Sequence, residues 1–168
     1  NVLIIATRYD IFILEDDGRV DERIFDEYTS LNLRFPPRFV QAYTKEEALN
    51  ELNENPYELI IYMPNMDDED VFAIPRNIKQ LYEDIPLVVL TPFSKEVSKR
   101  LSTEDISFAA YVFSWLGNSN VLFAIIKLIE DSMNVEHDTE MVAVEIILLV
   151  EDSIRFYSTA LPILYRII

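Results

Sequence analysis

A chain of 168 residues, half of them hydrophobic, is long enough to bury the core of one ordinary domain and leave a remainder. Its 14 lysines and arginines stand against 30 aspartates and glutamates, and a formal charge of -16 repels phosphate backbones and anionic membrane surfaces, which argues against nucleic acid and membrane as partners. The absence of cysteine excludes disulfides, thiolate metal sites and a cysteine nucleophile, while glycine at positions 18 and 117 alone leaves no glycine-rich loop to cradle a nucleotide phosphate.

The chain opens on an apolar run and stops at Ile167 and Ile168 without a polar tail, so both ends are expected to have been cut from a longer polypeptide. Residues 2–6 are apolar without helical period, the pattern of a strand covered on both faces. The stretch 10–33 is acidic and longer than one crossover helix needs, which predicts a helix with an inserted turn at Glu15, Asp16, Asp17 and Gly18. Pro36 and Pro37 end it before a second strand at 38–43. Thr44 with Glu47 three residues on forms a capping box that starts the next helix. A third strand is expected at 59–63, a helix at 71–82 with Pro75 near its first turn, and a fourth strand at 87–90. A helix at 94–101, a fifth strand at 110–113 and a helix from 120 to about 133, capped by Asn118 or Ser119, complete the series. This alternation implies an α/β fold, a doubly wound five-stranded parallel sheet with right-handed crossovers. The apolar stretch 142–150 is interrupted by Glu145 and falls far short of the roughly 20 residues that cross a bilayer, and no signal peptide is visible.

The polar, acidic stretch 134–140 marks a boundary, after which the architecture restarts. Residues 147–150 match 2–5, Glu151 and Asp152 fall on Ala6 and Thr7, and 154–168 has helical period. The run Ile147-Leu148-Leu149-Val150-Glu151-Asp152-Ser153 resembles the opening of response-regulator receiver domains of the CheY-like type, with an acidic pair at the end of strand one. The same resemblance covers residues 1 to about 133. It implies a receiver unit at 1–135, a linker at 136–144, and the first strand and helix of a second receiver at 145–168. It further implies a cytoplasmic, bacterial, multidomain regulator of two-component signalling or a phosphorelay.

Carried onto this chain, the family's phosphoacceptor aspartate falls at Met63, its acidic pair at Ala6 and Thr7, its switch hydroxyl at Thr91 and its lysine at Ser114, followed by Trp115 where the family has proline. Receiver chemistry needs carboxylates to hold Mg²⁺, one of them a nucleophile, and a cation that senses the phosphoryl group. Ala6, Thr7, Met63 and Ser114 supply none of these, so the first unit reads as a pseudo-receiver with no enzymatic activity, no metal and no cofactor. Glu151 and Asp152 keep the metal-binding pair for an intact second receiver. The cluster Asp67 to Asp70 reads as a solvated loop, Asp10 as a surface or cap residue, and His137 as a linker residue. Trp115, Leu122 and Ile126 are the expected partner surface, because the helix after strand five is apolar almost all round. The expected partners are other domains of the same polypeptide, a histidine kinase or phosphotransfer protein, and a second copy in a dimer. An alternative is a sensor that holds a small apolar ligand between Met63, Thr91 and Ser114.

Overall fold

Runs of consecutive aliphatic residues build the sheet, because a strand covered on both faces has no polar side to present. The computed structural model describes residues 1–16, 18–92, 94–115, 120–142 and 144–168, apart from the side chains of Lys95, Glu96, Ser98 and Val142. Strands β1 (Val2–Ile5), β2 (Phe39–Ala42), β3 (Leu59–Tyr62), β4 (Leu87–Pro92) and β5 (Tyr111–Trp115) lie in the order β2-β1-β3-β4-β5, every neighbouring pair parallel. This is the expected doubly wound five-stranded sheet.

The helices are α1 (Arg8–Leu14), α2 (Val20–Ser30), α3 (Lys45–Glu54), α4 (Ala73–Leu81), α5 (Lys95–Thr103), α6 (Asn120–His137) and α7 (Ile154–Ile167), with a short π-helix at Asp138–Val142. Side chains that alternate along each strand feed two cores. Val2, Ile4, Leu59, Ile61, Val88 and Leu90 pack with α1, α2 and α6 on one face. Leu3, Ile5, Ile60, Tyr62 and Val89 pack with α3, α4 and α5 on the other. No helix among the described residues is long and apolar enough to cross a membrane.

The start signals act as their chemistry dictates. Thr44 Oγ1 accepts from the Glu47 N–H at 3.1 Å while the Glu47 carboxylate accepts from the Tyr43 N–H at 2.7 Å, and Ser94 caps α5 through the Val97 N–H. Pro75 occupies the third position of α4, where no intrahelical donor is required. The cap expected at Asn118 or Ser119 lies outside the described residues.

The inserted turn forms where the sequence places it, and two later segments differ from the sequence expectation. The acidic turn divides 8–30 into two helices, because Gly18 adopts φ +120° and its N–H bonds the Glu15 carbonyl, a conformation that ends helical propagation. Helix α6 continues through residues 136 and 137 and passes into the π-helix, so most of the stretch read as a linker is helical. The strand expected at 146–150 does not form, and Ile146, Ile147, Leu148, Leu149 and Val150 are exposed. A strand exists only through partners in a ladder, and the neighbouring outer edge of β5 is engaged by α7.

That engagement uses side chains. The Tyr157 hydroxyl donates to the Val112 carbonyl, Ser158 Oγ accepts from the Ser114 N–H at 2.8 Å, and the Tyr157 ring stands edge-on to Phe113 with centroids 5.2 Å apart. Leu161 and Pro162 are buried in the same contact. Burial pushes the Tyr157 hydroxyl up to about 12 and raises those of Tyr28, Tyr62 and Tyr165 as well.

Phe113→Ala should cost about 3–5 kcal/mol in urea unfolding, since it removes a fully buried ring that β4, α6 and α7 pack around. The buried tyrosines ionise later in the folded chain than in the unfolded one. Their stabilisation is therefore complete below the ordinary value of 10.0 and is lost as pH rises toward about 12. Urea midpoints at pH 8 and above pH 10 should show this loss, and Tyr157→Phe should reduce it.

Candidate functional site

In an open parallel sheet, ligands and chemistry belong at the carboxyl ends of the strands, where the chain leaves β1 toward one side and β3 toward the other. The fold brings the five expected positions to that end. Ala6 and Thr7 follow β1, and Met63 follows β3 with its N–H bonded to the Ile5 carbonyl at 2.9 Å. Thr91 in β4 and Ser114 in β5 are direct register partners.

What these positions hold is apolar or internally bonded. Ala6 and Met63 belong to the buried cluster that contains Ile11 and Leu14 of α1, and Met63 is 3% exposed. Thr7 caps α1. Its Oγ1 accepts from the Asp10 N–H at 3.1 Å while its hydroxyl donates to the Asp10 carboxylate at 2.6 Å. Asp10, the acid nearest in sequence to the site, is therefore committed to a reciprocal helix cap.

Strand alternation puts Thr91 and Ser114 on the same side of the sheet as Val89 and Val112. Both hydroxyls are buried. Thr91 Oγ1 has a long 3.5 Å contact to the Pro92 carbonyl, while Ser114 Oγ and the indole N–H of Trp115 have no partner among the described residues. Each such orphan costs about 1–3 kcal/mol.

The donor set does not fit Mg²⁺, which takes carboxylate oxygens in near-octahedral geometry. A thioether, a methyl group and a hydroxyl held in a cap offer no anionic ligand. Among the described residues no group of three acidic or histidine side chains could hold a metal ion.

The remaining candidates lie elsewhere. In the acidic loop, Asn65 Nδ2 donates to Asp68, the Asp67 N–H bonds Asn65 Oδ1, and Asp70 accepts from the Phe72 N–H and the Arg76 guanidinium. The Arg76 hydrogen bond holds the Asp70 carboxyl below the ordinary range. These acids serve turns on the surface. His137 is exposed beside Asp138 at the end of α6. Glu151 and Asp152 are exposed, and Glu151 accepts from the Ser153 N–H next to the cap of α7. They border a cleft of about 910 Å³ between the start of β5, α6, α7 and the segment 144–149.

Leu122 and Ile126, expected on a partner surface, are core residues, 1% and 3% exposed. The helix is apolar almost all round because the sheet, α2 and α7 surround it. Trp115 is half-buried against the same core. Sequence reasoning missed the clasp of Tyr157 and Ser158 on β5, whose one signal was a Tyr-Ser pair within an otherwise apolar helical face.

No family model and no curated protein matches the chain. Solved structures do. The response regulator TrrA from Thermotoga maritima, in complex with Mg²⁺-BeF, is 18% identical over 76% of this chain and 96% of that one, with a TM-score of 0.53. A two-component response regulator from Clostridium difficile is 21% identical over 79% of this chain and 97% of its own, also with a TM-score of 0.53. NtrX from Brucella abortus, in complex with ADP, is 16% identical, with a TM-score of 0.59 over 99% of this chain and 32% of that one. At these identities the likeness is one of fold, and the fold is the flavodoxin-like receiver arrangement.

Replacing Met63 with aspartate should expose the site's character. A carboxylate in that buried apolar cluster should destabilise the chain by at least about 3 kcal/mol at neutral pH in urea unfolding. Calorimetry should show no gain of Mg²⁺ binding in the same variant.

Proposed function

We propose that residues 1–135 are a signal-transduction module that works by docking and not by phosphoryl transfer, within a multidomain response regulator acting in the cytoplasm. In this reading residues 136–144 connect it to the opening segment of a second receiver unit at 145–168, of which the helix α7 is formed and residues 146–150 have no ladder partner among the described residues. Its partners are other domains of the same polypeptide, with a histidine kinase or phosphotransfer protein acting on the assembly.

One observation carries the reading. The receiver scaffold is intact, yet Ala6, Thr7, Met63 and Ser114 stand at the four positions that would need ionic groups, and each is buried or bonded within the fold. Acyl-phosphate formation requires an in-line carboxylate nucleophile and a divalent cation to neutralise the transferred group. Among the described residues, these positions supply neither a carboxylate nor a group of metal ligands. The alternative of a small apolar ligand loses support from the same burial, because Met63, Thr91 and Ser114 fill the region it would occupy, and the four cavities described are lined by other residues.

The test is the intact mass of the chain after incubation with Mg²⁺ and acetyl phosphate, followed by peptide mapping. The expected result is an unchanged mass for residues 1–135. A phosphoryl group on any aspartate of that segment would overturn the reading.

A further inference from the structure

Helix α7 has two apolar faces. Ser158, Leu161 and Pro162 are buried on the first, with Tyr157, Leu164 and Tyr165 packed against the same core. The second consists of Phe156, Ala160, Ile163 and Ile167, at the 4-3-4 spacing of a helical stripe, and all four are exposed. It lies more than a quarter turn around the helix from the docked face.

The internal repeat distinguishes the two. With 147–150 placed on 2–5, Phe156 falls on Ile11, which α1 buries against its own sheet, and Tyr157 falls on Phe12, which α1 turns outward. Phe12 and Phe156 are each 67% exposed. The residue of α7 that matches the inward face of a receiver's first helix is thus uncovered, and the one that matches its outward face is docked. In that register α7 is capped by Ser153, one residue later than Thr7 caps α1.

We propose that the outer edge of β5 and the adjoining face of α6 form a docking seat for the first helix of a second receiver-type unit, gripping its outward face and leaving its inward stripe to that unit's own sheet. This rests on reading residues 145–168 as the start of such a unit.

The seat is specific. Val112 and Ser114 present a carbonyl and an N–H along the free side of an edge strand, and Tyr157 and Ser158 supply the matching donor and acceptor. Tyr165 donates to Asp131, and Arg166 reaches Glu27 and, at 2.9 Å, Asn120, so contacts to α2 and α6 fix the far end of the helix. The Phe113 and Tyr157 rings meet edge to face beside the first set. A helix clasped in this way joins two units at the strand that carries Ser114, one of the degenerate site positions.

Native-state amide exchange on the full chain tests it. The amides of α7 and of Ser114 should share one sub-global opening, about tenfold or more faster than Ile60 and Met63 in the central ladder, because a joint opens without unfolding the unit it joins. Exchange of α7 at the same slow rate as Ile60 would make it an integral helix of the first unit and overturn the proposal. Ser158→Ala with Tyr157→Phe should speed the Ser114 amide about tenfold while Ile60 is unchanged. Phe156→Ser with Ile163→Ser should leave the Ser114 amide within about twofold of its original rate, since that stripe takes no part in the seat. Release of Ser114 by the stripe pair as large as that by the clasp pair would overturn the proposal. So would a dimer that the stripe pair dissolves, which would assign the stripe to a second copy. A phosphoryl group on the first unit would sink the silent-site reading and leave this exchange pattern untouched.

Discussion

The outer edge of β5 is the constraint on which the rest of the structure turns. A parallel sheet buried on both faces still has two open edges, and each presents unpaired N–H and C=O groups. At β5 the inner side pairs with β4, which aligns Ser114 with Thr91. The outer side is closed by a tyrosine hydroxyl and a serine hydroxyl from α7. A helix cannot offer its backbone to a strand, because its own ladder uses those groups, so side chains must do it. This explains why α7 carries two polar residues at the start of its otherwise apolar buried face. It also bears on Pro162, which lacks the N–H that would bond the Ser158 carbonyl and so loosens the helix where Ser158 contacts β5.

The carboxyl ends of the strands show the opposite economy of polar groups. A working receiver site concentrates carboxylates that repel one another and must be solvated or metal-bound, a standing cost to the fold. Here Ala6 and Met63 join the hydrophobic cluster, and Thr7 turns inward to cap α1 with Asp10. Each is a group that the fold satisfies without a cation. Ser114 and Trp115 are exceptions. Their side-chain polar atoms, without partners among the described residues, sit where β5 ends.

The sheet was legible in the sequence because its signals are local. Residues 2–5, 59–62 and 87–90 are apolar without helical period, and Thr44 and Ser94 carry cap chemistry within a few residues of the groups they bond. The five expected positions lie at strand ends, which the apolar runs locate. Leu122 and Ile126 were misplaced because an apolar surplus on a helix says that something covers it, and only the tertiary arrangement of α2, α6 and α7 says what. Residues 146–150 have the composition of a strand but no ladder partner among the described residues, and composition cannot form a ladder alone. The π-helix at Asp138–Val142 had no sequence signal, since its polar, acidic residues suit a linker equally well.

Charge adds a last step to the account of α7. The chain is strongly acidic, yet this helix carries Arg155 and Arg166 and no acid. Arg166 meets Glu27 beside Asn120, and Tyr165 donates to Asp131, so the helix sets its one sign of charge and its donors against an acidic body. Exposed ion pairs of this kind contribute little stability, typically about 0–1 kcal/mol, and salt screens them. Their effect is on orientation. Complementary charge at the far end fixes which way an amphipathic helix lies on the seat, and the Tyr157 and Ser158 contacts then fix its register along β5. Apolar burial holds α7 in place, but the polar groups determine that it lies in one position.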